Sequence, residues 1–300
     1  MTDTADEHAR VFTELRPLLF TVAYEILGSA TDADDVLQDS YLRWADVDLD
    51  SVAEARPYLA KVVTRQALNA LRASTRRRED YVGPWLPEPI LLDEHDASAD
   101  VVLAESVSTA MLVVLESLGP DERAVFVLRE VFGFGHDEIA EIVGKSPAAV
   151  RQTAHRARSH VQSRRHRFEP VDSARTAEVT EAFLTAAESG EIERLMELLS
   201  PDVVFTADSD GKASAVRRPI RGALAVARLM AGFARLGSRG DDLRMEPAIF
   251  NSMPGMAIHF DGQLQGVFVL QVVDGVIENI FAMRNPEKLT GIATARSISR

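Results

Sequence analysis

The sequence contains no cysteine, which excludes disulfide bonds, catalytic thiols and zinc sites with cysteine ligands. No apolar run approaches the roughly 20 residues that cross a bilayer, and the N-terminal segment has neither a basic flank nor an apolar core. The net charge of −13 argues against a protein that coats nucleic acid non-specifically. These absences favour a cytoplasmic protein without membrane contact, in which any contact with nucleic acid is local.

The 300 residues, 46% of them hydrophobic, predict two or three globular domains. Helical periodicity fills residues 1–78 and 105–168, and an acidic, proline-rich run at 79–104 separates them. Short strand-like runs, interrupted by Pro, Gly and Asp turns, occur only within 169–300. The predicted fold is therefore multidomain: two all-α domains joined by a linker, and a C-terminal α+β domain.

Two helices predicted in the first domain carry opposite charge. One is expected to begin at a capping box formed by Thr31 and Asp34, and its outer face is acidic. The next, over about 57–76, has polar residues three or four apart, which form a mostly basic ridge: Lys61, Arg65, Asn69, Arg72 and Arg76. The acidic face fits a protein partner, although plain solubility would produce it as well.

A basic segment interrupts this acidic chain at "AEIVGKSPAAVRQTAHRARSHV", residues 140–161. Seven cations and no carboxylate occur from Lys145 to Arg167. Two short helices joined through Gly144 and Ser146 predict a helix-turn-helix. Its second helix would present four side chains to a DNA groove: Arg151, Gln152, His155 and Arg156. A solvated basic surface is the alternative interpretation.

Three stretches resemble regions 2 and 4 of an extracytoplasmic-function (ECF) sigma factor, in that order and without a region 3 domain. They are "DADDVLQDSYLRWA", "YLAKVVTRQALNALR" and "LGPDERAVFVLREVFGFGHDEIAEIVGKSPAAVRQTAHRARSHV". The segments "YVGPWLPEP" and "NPEKL" are similar to the subgroup with a fused SnoaL-like domain. The resemblance implies a region 2 helical bundle, a region 4 helix-turn-helix and a cone-shaped SnoaL/NTF2-like domain.

The same resemblance implies a function and its residues. The chain would be an alternative sigma factor, not an enzyme, that directs transcription from specific −10/−35 promoters. Core RNA polymerase would bind Asp32, Asp35, Gln38 and Asp39. The −10 element would face Lys61, Arg65, Asn69 and Arg72, although many relatives carry Asn and Asp where this chain has Arg65 and Asn69. The −35 element would face Lys145, Arg151, Gln152, His155 and Arg156. The acidic linker would thread the RNA exit path.

For the third domain we expect regulation in cis, through contact with the helical domains or the linker. The residues expected at this contact are Trp85, Leu86 and Pro87 in the linker and Asn285, Pro286, Lys288 and Leu289 in "NPEKL". Such a device removes the strict need for a separate anti-sigma factor. No cofactor or metal is expected, while a small pocket ligand and the choice between monomer and dimer stay open.

Two other functions are compatible with the pattern. A stand-alone helix-turn-helix repressor with a ligand-sensing domain would bind DNA tightly without polymerase. A cyclase-like enzyme fused to a DNA-binding domain would need an acid or base in its pocket, for which the candidates are Asp208, Asp210, His259 and Asp261. The first two of these are also ordinary turn residues.

Overall fold

The computed structural model describes residues 2–78, 80–92, 100–164, 173–237, 243–292 and 294–300. Parts of the predicted linker (79 and 93–99), the cations Arg165 and Arg167, and the junction at 169–172 lie outside these ranges.

Three helices form the first part of the chain: α1 (Thr2–Leu27), α2 (Ala30–Ala45) and α3 (Ala55–Arg78). Their apolar stripes pack together, and Trp44 is buried at the centre. Gly28 ends α1 with a φ of 68°, which leaves Ser29 extended as the N-cap of α2, where its hydroxyl accepts from Asp32 N. The predicted Thr31 capping box is therefore wrong by two residues.

The second helical part begins at Val101, inside the range assigned to the linker. It contains α4 (Val101–Ser106), α5 (Thr109–Leu115), α6 (Pro120–Phe126) with a π-helical continuation (Val127–Val131), α7 (His136–Val143) and α8 (Pro147–Arg164). Gly144 ends α7 in the left-handed conformation, and the Ser146 hydroxyl accepts from Ala149 N at the start of α8. Helices α7 and α8 thus form a tight pair with the predicted turn.

The C-terminal part is α+β. Its helices are α9 (Ser173–Ser189), α10 (Ile192–Leu198) and α11 (Ala223–Gly237), and its strands are β1 (Leu199–Asp208), β2 (Ile220–Arg221), β3 (Leu243–Phe250), β4 (Met253–Phe260), β5 (Gln263–Val273) and β6 (Val276–Met283). The six-stranded sheet has the order β2-β1-β6-β5-β4-β3, and β1 and β6 pair in parallel. Phe183, Phe205 and Phe268 belong to the core between helices and sheet.

The linker packs into the cores of its neighbours. Ile90 and Leu92 join the core shared by the helical parts, to which Ile298 near the C-terminus also contributes. Leu86 joins a second cluster with Phe250 and other side chains of the sheet. The sheet is thereby attached to both helical parts. In the described residues, no helix is long and apolar enough to cross a membrane.

Candidate nucleic-acid and partner interfaces

The basic ridge of α3 lies against the helix-turn-helix. Arg65 Nε donates to Ile142 O at 3.0 Å, and its Nη2 donates to Glu141 O at 2.7 Å. These carbonyls belong to the last turn of α7, where helix carbonyls lack intrahelical partners and the helix dipole favours a cation. Lys61 Nζ lies 3.4 Å from the Glu141 carboxylate. Asn69, on the same ridge, is exposed.

Asp121, at the second position of α6, bonds to one cation from each predicted DNA-binding surface. Arg72 of α3 donates to Oδ1 at 2.7 Å, and Lys145 Nζ, in the turn between α7 and α8, lies 2.5 Å from Oδ2. Burial raises the pKa of Asp121, but the bonds from Lys145 and Arg72 outweigh burial and bring the pKa below its ordinary value. The carboxylate therefore stays ionised and joins the two surfaces.

The outer face of α8 is exposed at Arg151, Gln152, His155 and Arg156. Arg156 Nε lies 3.7 Å from a Glu122 carboxylate oxygen, a long contact at the surface. The structure thus brings together the predicted −35 and −10 residues at their inner edges, through Lys145 and Arg72. It leaves the predicted base-reading face of α8 open.

The acidic face of α2 is accessible: Asp35, Gln38 and Asp39 are exposed, and Asp32 is half-buried. The intervening Asp34 is bonded instead by Arg16 at 2.9 Å and by Arg296 of the C-terminal tail at 2.6 Å. The tail therefore reaches the same helix as the predicted polymerase site without covering its acidic face.

The linker meets the C-terminal domain at a buried polar group, which we call the linker contact: Tyr81, Leu86, Asp208 and Lys288. Asp208 accepts from Tyr81 Oη (2.5 Å), Leu86 N (2.7 Å) and Lys288 Nζ (2.8 Å). Lys288 also donates to Leu86 O at 2.6 Å, and Asn285 Nδ2 donates to Tyr81 Oη at 2.9 Å. This geometry brings linker residues together with "NPEKL" residues that the sequence predicts at one contact.

Trp85 lies between the linker contact and the first helical part. Lys288 Nζ is 4.0 Å from the centroid of its ring, and a Cβ on Gly28 would lie only 2.8 Å from the ring. Pro87 and Leu289 are buried, and Pro286 is exposed. A glycine after α1 is thus needed for two reasons, its positive φ and the close approach of the indole.

Two residues at these contacts have no role in the sequence predictions. Asn251, in the turn between β3 and β4, is 1% exposed; its Nδ2 donates to Tyr24 Oη (2.5 Å) and Val107 O (2.9 Å), and its Oδ1 accepts from Ile90 N (3.0 Å). Glu88 is also buried and accepts from Ser29 Oγ and Thr31 N at the start of α2. Asn251 therefore connects the sheet to both helical parts and to the linker. Its sequence signal is only that of a turn.

A buried carboxyl lies between the helical parts. Burial, which a hydrogen bond from Ser106 and the charge of Arg123 only partly offset, raises the pKa of Glu25 to about 8. Ser106 Oγ donates to Glu25 Oε1 at 2.6 Å, while Oε2 has no partner among the described residues. Arg123, also buried, donates to Glu25 O at 2.9 Å and pairs with Glu116. The surroundings of Glu25 therefore favour its protonated form.

A cavity inside the C-terminal domain is lined mainly by apolar side chains of α9, α11 and the sheet. None of the four candidate catalytic residues lines it. Asp208 belongs to the linker contact, and Asp210 accepts from Val82 N and pairs with Lys212. His259 lies on β4, 3.9 Å from Glu246, and Asp261 lies in the turn after β4 with a φ of 49°. The four residues do not form a common site.

Known families match both helical parts. Sigma-70 region 2 matches residues 11–77, and Sigma-70, region 4 matches residues 108–161. The chain is 36% identical over 290 residues to the ECF RNA polymerase sigma factor SigJ of Mycobacterium tuberculosis, covering 93% of this chain and 92% of that protein. It is 29% identical over 288 residues to SigG of the same species, covering 87% and 76%.

The crystal structure of M. tuberculosis SigJ superposes with a TM-score of 0.75 at 35% identity, over 94% of this chain and 98% of that one. The fold and the matched regions define a sigma-70-type transcription initiation factor. More narrowly, the chain belongs to the ECF RNA polymerase sigma factor family. It is an alternative sigma factor, with core RNA polymerase and promoter DNA as its partners, and the predicted fold class is confirmed.

Proposed function

We propose that this sigma factor binds the −10 element with the α3 ridge and the −35 element with α8, and that its own linker and C-terminal domain restrain both surfaces until core RNA polymerase binds. The single observation that carries the proposal is Asp121, which bonds to Arg72 of one surface and Lys145 of the other.

Promoter geometry is incompatible with these two bonds. Elements centred about 10 and about 35 base pairs from the start site are about 25 base pairs apart, which is about 85 Å of duplex at about 3.4 Å per base pair. Arg72 and Lys145 bond to oxygens of one carboxylate, so their charged groups lie within a few ångströms of each other. The described conformation is therefore a closed one, and the helical domains must separate before both elements are bound.

The contacts that close the molecule differ in strength. The ion pairs of Asp121 and Glu141 are partly exposed, and such pairs each contribute about 0.2–1 kcal/mol. The linker contact and the bonds of Asn251 are buried, where leaving a polar group unpaired costs about 1–3 kcal/mol. We infer that the C-terminal domain supplies most of the restraint. A separate anti-sigma factor is then not strictly required.

Core polymerase can bind the acidic face of α2 before the helical domains separate. Asp35, Gln38 and Asp39 are exposed in the closed conformation, and their charge suits a basic partner surface. We infer that docking at α2 comes first and that further contacts with polymerase then draw the DNA-binding domains apart.

The cavity of the C-terminal domain fits binding better than turnover. Its lining contains no Asp, Glu or His among the described residues, so it lacks the usual general acids and bases. We infer that this domain has a regulatory role and no catalytic one.

A charge-matched pair of variants tests the closed state. Asp121→Asn combined with Glu141→Gln removes the carboxylates that join the surfaces. Glu130→Gln combined with Asp137→Asn removes two carboxylates of the same domain, and Glu130 pairs with Arg158 within that domain. Both doubles change the net charge equally, so their general attraction to DNA rises equally.

The assay is fluorescence anisotropy of free protein with a promoter duplex selected from a library by the wild-type holoenzyme. We expect the first double to bind about tenfold more tightly than the second, because two or three weak pairs no longer oppose opening. Equal affinities would contradict the closed-state proposal. Failure of added protein to direct start-site-specific transcription by core polymerase would contradict the sigma function itself.

A further inference from the structure

The cavity of the C-terminal domain combines an apolar wall with one cation. Phe233, Met256 and Phe268 are among its lining residues, and its volume is about 50 Å³. Arg284, the first residue after β6, lines the same cavity. Arginines are seldom buried beside apolar side chains unless a carboxylate pairs with them.

Among the described residues, no carboxylate pairs with Arg284. Its Nε donates to Gln265 O at 3.3 Å, and no ion pair of Arg284 occurs within the described parts of the chain. Burial lowers the pKa of Arg284. The aliphatic part of the Arg284 side chain packs against Gly266, where a Cβ would lie 2.8 Å from Met283 O and 3.3 Å from Arg284 Cγ. In the part of the chain that the structure describes, no hydrogen bond or ion pair engages the guanidinium nitrogens beyond Nε, so they can bind a carboxylate in bidentate geometry.

We propose that the cavity binds a small monoanion with an apolar body, of the class of short-chain carboxylic acids, whose carboxylate pairs with Arg284. The apolar body would lie against Phe233 and Phe268. A multiply charged anion is disfavoured, because one cation cannot compensate the desolvation of several charges. The volume limits the apolar body to two or three carbon atoms, because benzene, with six, occupies a cavity of about 150 Å³.

The ligand site is one residue away from the linker contact. Arg284 N donates to Asp208 O at 2.7 Å, and the next residue, Asn285, bonds to Tyr81. A ligand that draws the Arg284 side chain into the cavity therefore acts on the same backbone that holds Asp208. This second step, a ligand-dependent change at the linker, rests on the proposed regulatory function, whereas ligand binding alone does not.

Binding is tested by isothermal titration of the full chain with butyrate, with 1-butanol as the uncharged probe. We expect saturable butyrate binding with a Kd of about 1 mM, and binding of 1-butanol at least about tenfold weaker. Arg284→Met should weaken butyrate binding by about tenfold or more, and Arg284→Lys, which keeps the charge but not the paired donors, should weaken it less. Arg228→Met, an exposed site on α11 outside the cavity, should leave it unchanged.

No saturable butyrate binding, or equal binding of butyrate and 1-butanol, would overturn the proposal. Equal binding by wild type and Arg284→Met would overturn it as well. If Arg284→Met does not fold, Ala234→Leu takes its place; Ala234 lines the cavity, and a larger side chain there should displace the ligand while Arg284 stays.

Coupling to the linker is read separately from fluorine NMR of protein labelled with 5-fluorotryptophan. The chain has two tryptophans: Trp85 lies over Lys288, and Trp44 lies in the core of the first helical part and acts as an internal control. Butyrate should shift the Trp85 resonance and leave the Trp44 resonance in place. Binding without a Trp85 shift would refute the coupling and leave the ligand site intact. Neither outcome depends on polymerase, so both are distinct from a failure of the sigma function.

Discussion

Asp208→Asn removes the negative charge from the linker contact and leaves the shape of the side chain nearly unchanged. Asp208 is fully buried, and Lys288 exposes only 8% of its side chain, so the substitution takes the Asp208 carboxylate away from a buried ammonium. Removing one partner of a buried ion pair costs about 3–5 kcal/mol. We expect this loss at the linker, because the Asp208 carboxylate also accepts from Tyr81 and Leu86.

Amide hydrogen exchange measures the effect at one atom. Leu86 N donates directly to Asp208 Oδ2, so the exchange of this amide reports opening of the linker contact. We expect exchange at Leu86 to accelerate by about 10²–10³-fold, which corresponds to about 3–4 kcal/mol. The amide of Val22, in the core of α1, is the internal reference and should keep its protection.

A second substitution tests the electrostatic cause. Lys288→Met in the Asp208→Asn background removes the ammonium that has lost the Asp208 carboxylate, and we expect Leu86 exchange to slow by at least about tenfold from that of the single variant. Wild-type exchange at Leu86 in Asp208→Asn, or exchange in the double variant as fast as in the single one, would refute this electrostatic cause.

Three further predictions concern stability, measured by urea denaturation. Because the pKa of Glu25 is raised to about 8 and that of an unfolded Glu is about 4.3, the native state holds a proton that the unfolded chain releases. The contribution of this proton to the free energy of unfolding is complete below about pH 4 and is lost as the pH rises to about 8. Glu25→Gln should therefore make the free energy of unfolding less dependent on pH in this range. Gly28→Ala should cost about 1–3 kcal/mol, because its φ is positive and the new methyl group meets Trp85. Asn251→Gly, which keeps the left-handed turn accessible, should still cost about 2–4 kcal/mol through its lost hydrogen bonds.

Each of these stability predictions has an opposing result. An unchanged pH slope in Glu25→Gln would mean that Glu25 is ionised in the native state. If Trp85→Phe does not reduce the cost of Gly28→Ala, the close approach of the indole is not what the methyl group disturbs. Wild-type stability of Asn251→Gly would show that the junction does not depend on this side chain.

Local patterns in the sequence were sufficient for most helices and strands. Periodic apolar positions and Gly144 predict α7 and α8, and the Asp-Gly turns predict the strands of the C-terminal sheet. The N-cap of α2 was misassigned because Ser29 and Thr31 are both good capping residues. The left-handed conformation of Gly28 decides that Ser29, and not Thr31, is extended and caps α2.

The mutual contact of the two basic surfaces was not predictable in the same way. Arg65 bonds to backbone carbonyls 76 and 77 residues away, and a carbonyl has no signature in the sequence. In the sequence, Asp121 is an ordinary acidic residue in the first turn of α6, where acids are favourable, so nothing there predicts its bonds to the two surfaces. The assignment of Lys61, Arg65 and Asn69 to the −10 element, and of α2 to polymerase, stays a prediction.

The central claim is that the free protein is closed and that polymerase opens it. The chain has no cysteine, so Glu14→Cys on α1 and Ser159→Cys on α8 would introduce only two labelling sites, both exposed. Electron–electron double resonance between spin labels at these positions measures the separation of the helical domains. We predict one narrow, short distance in the free protein and a distance longer by tens of ångströms (~85 Å separates the promoter elements) once core polymerase is bound. The same distance distribution in both states would contradict the account.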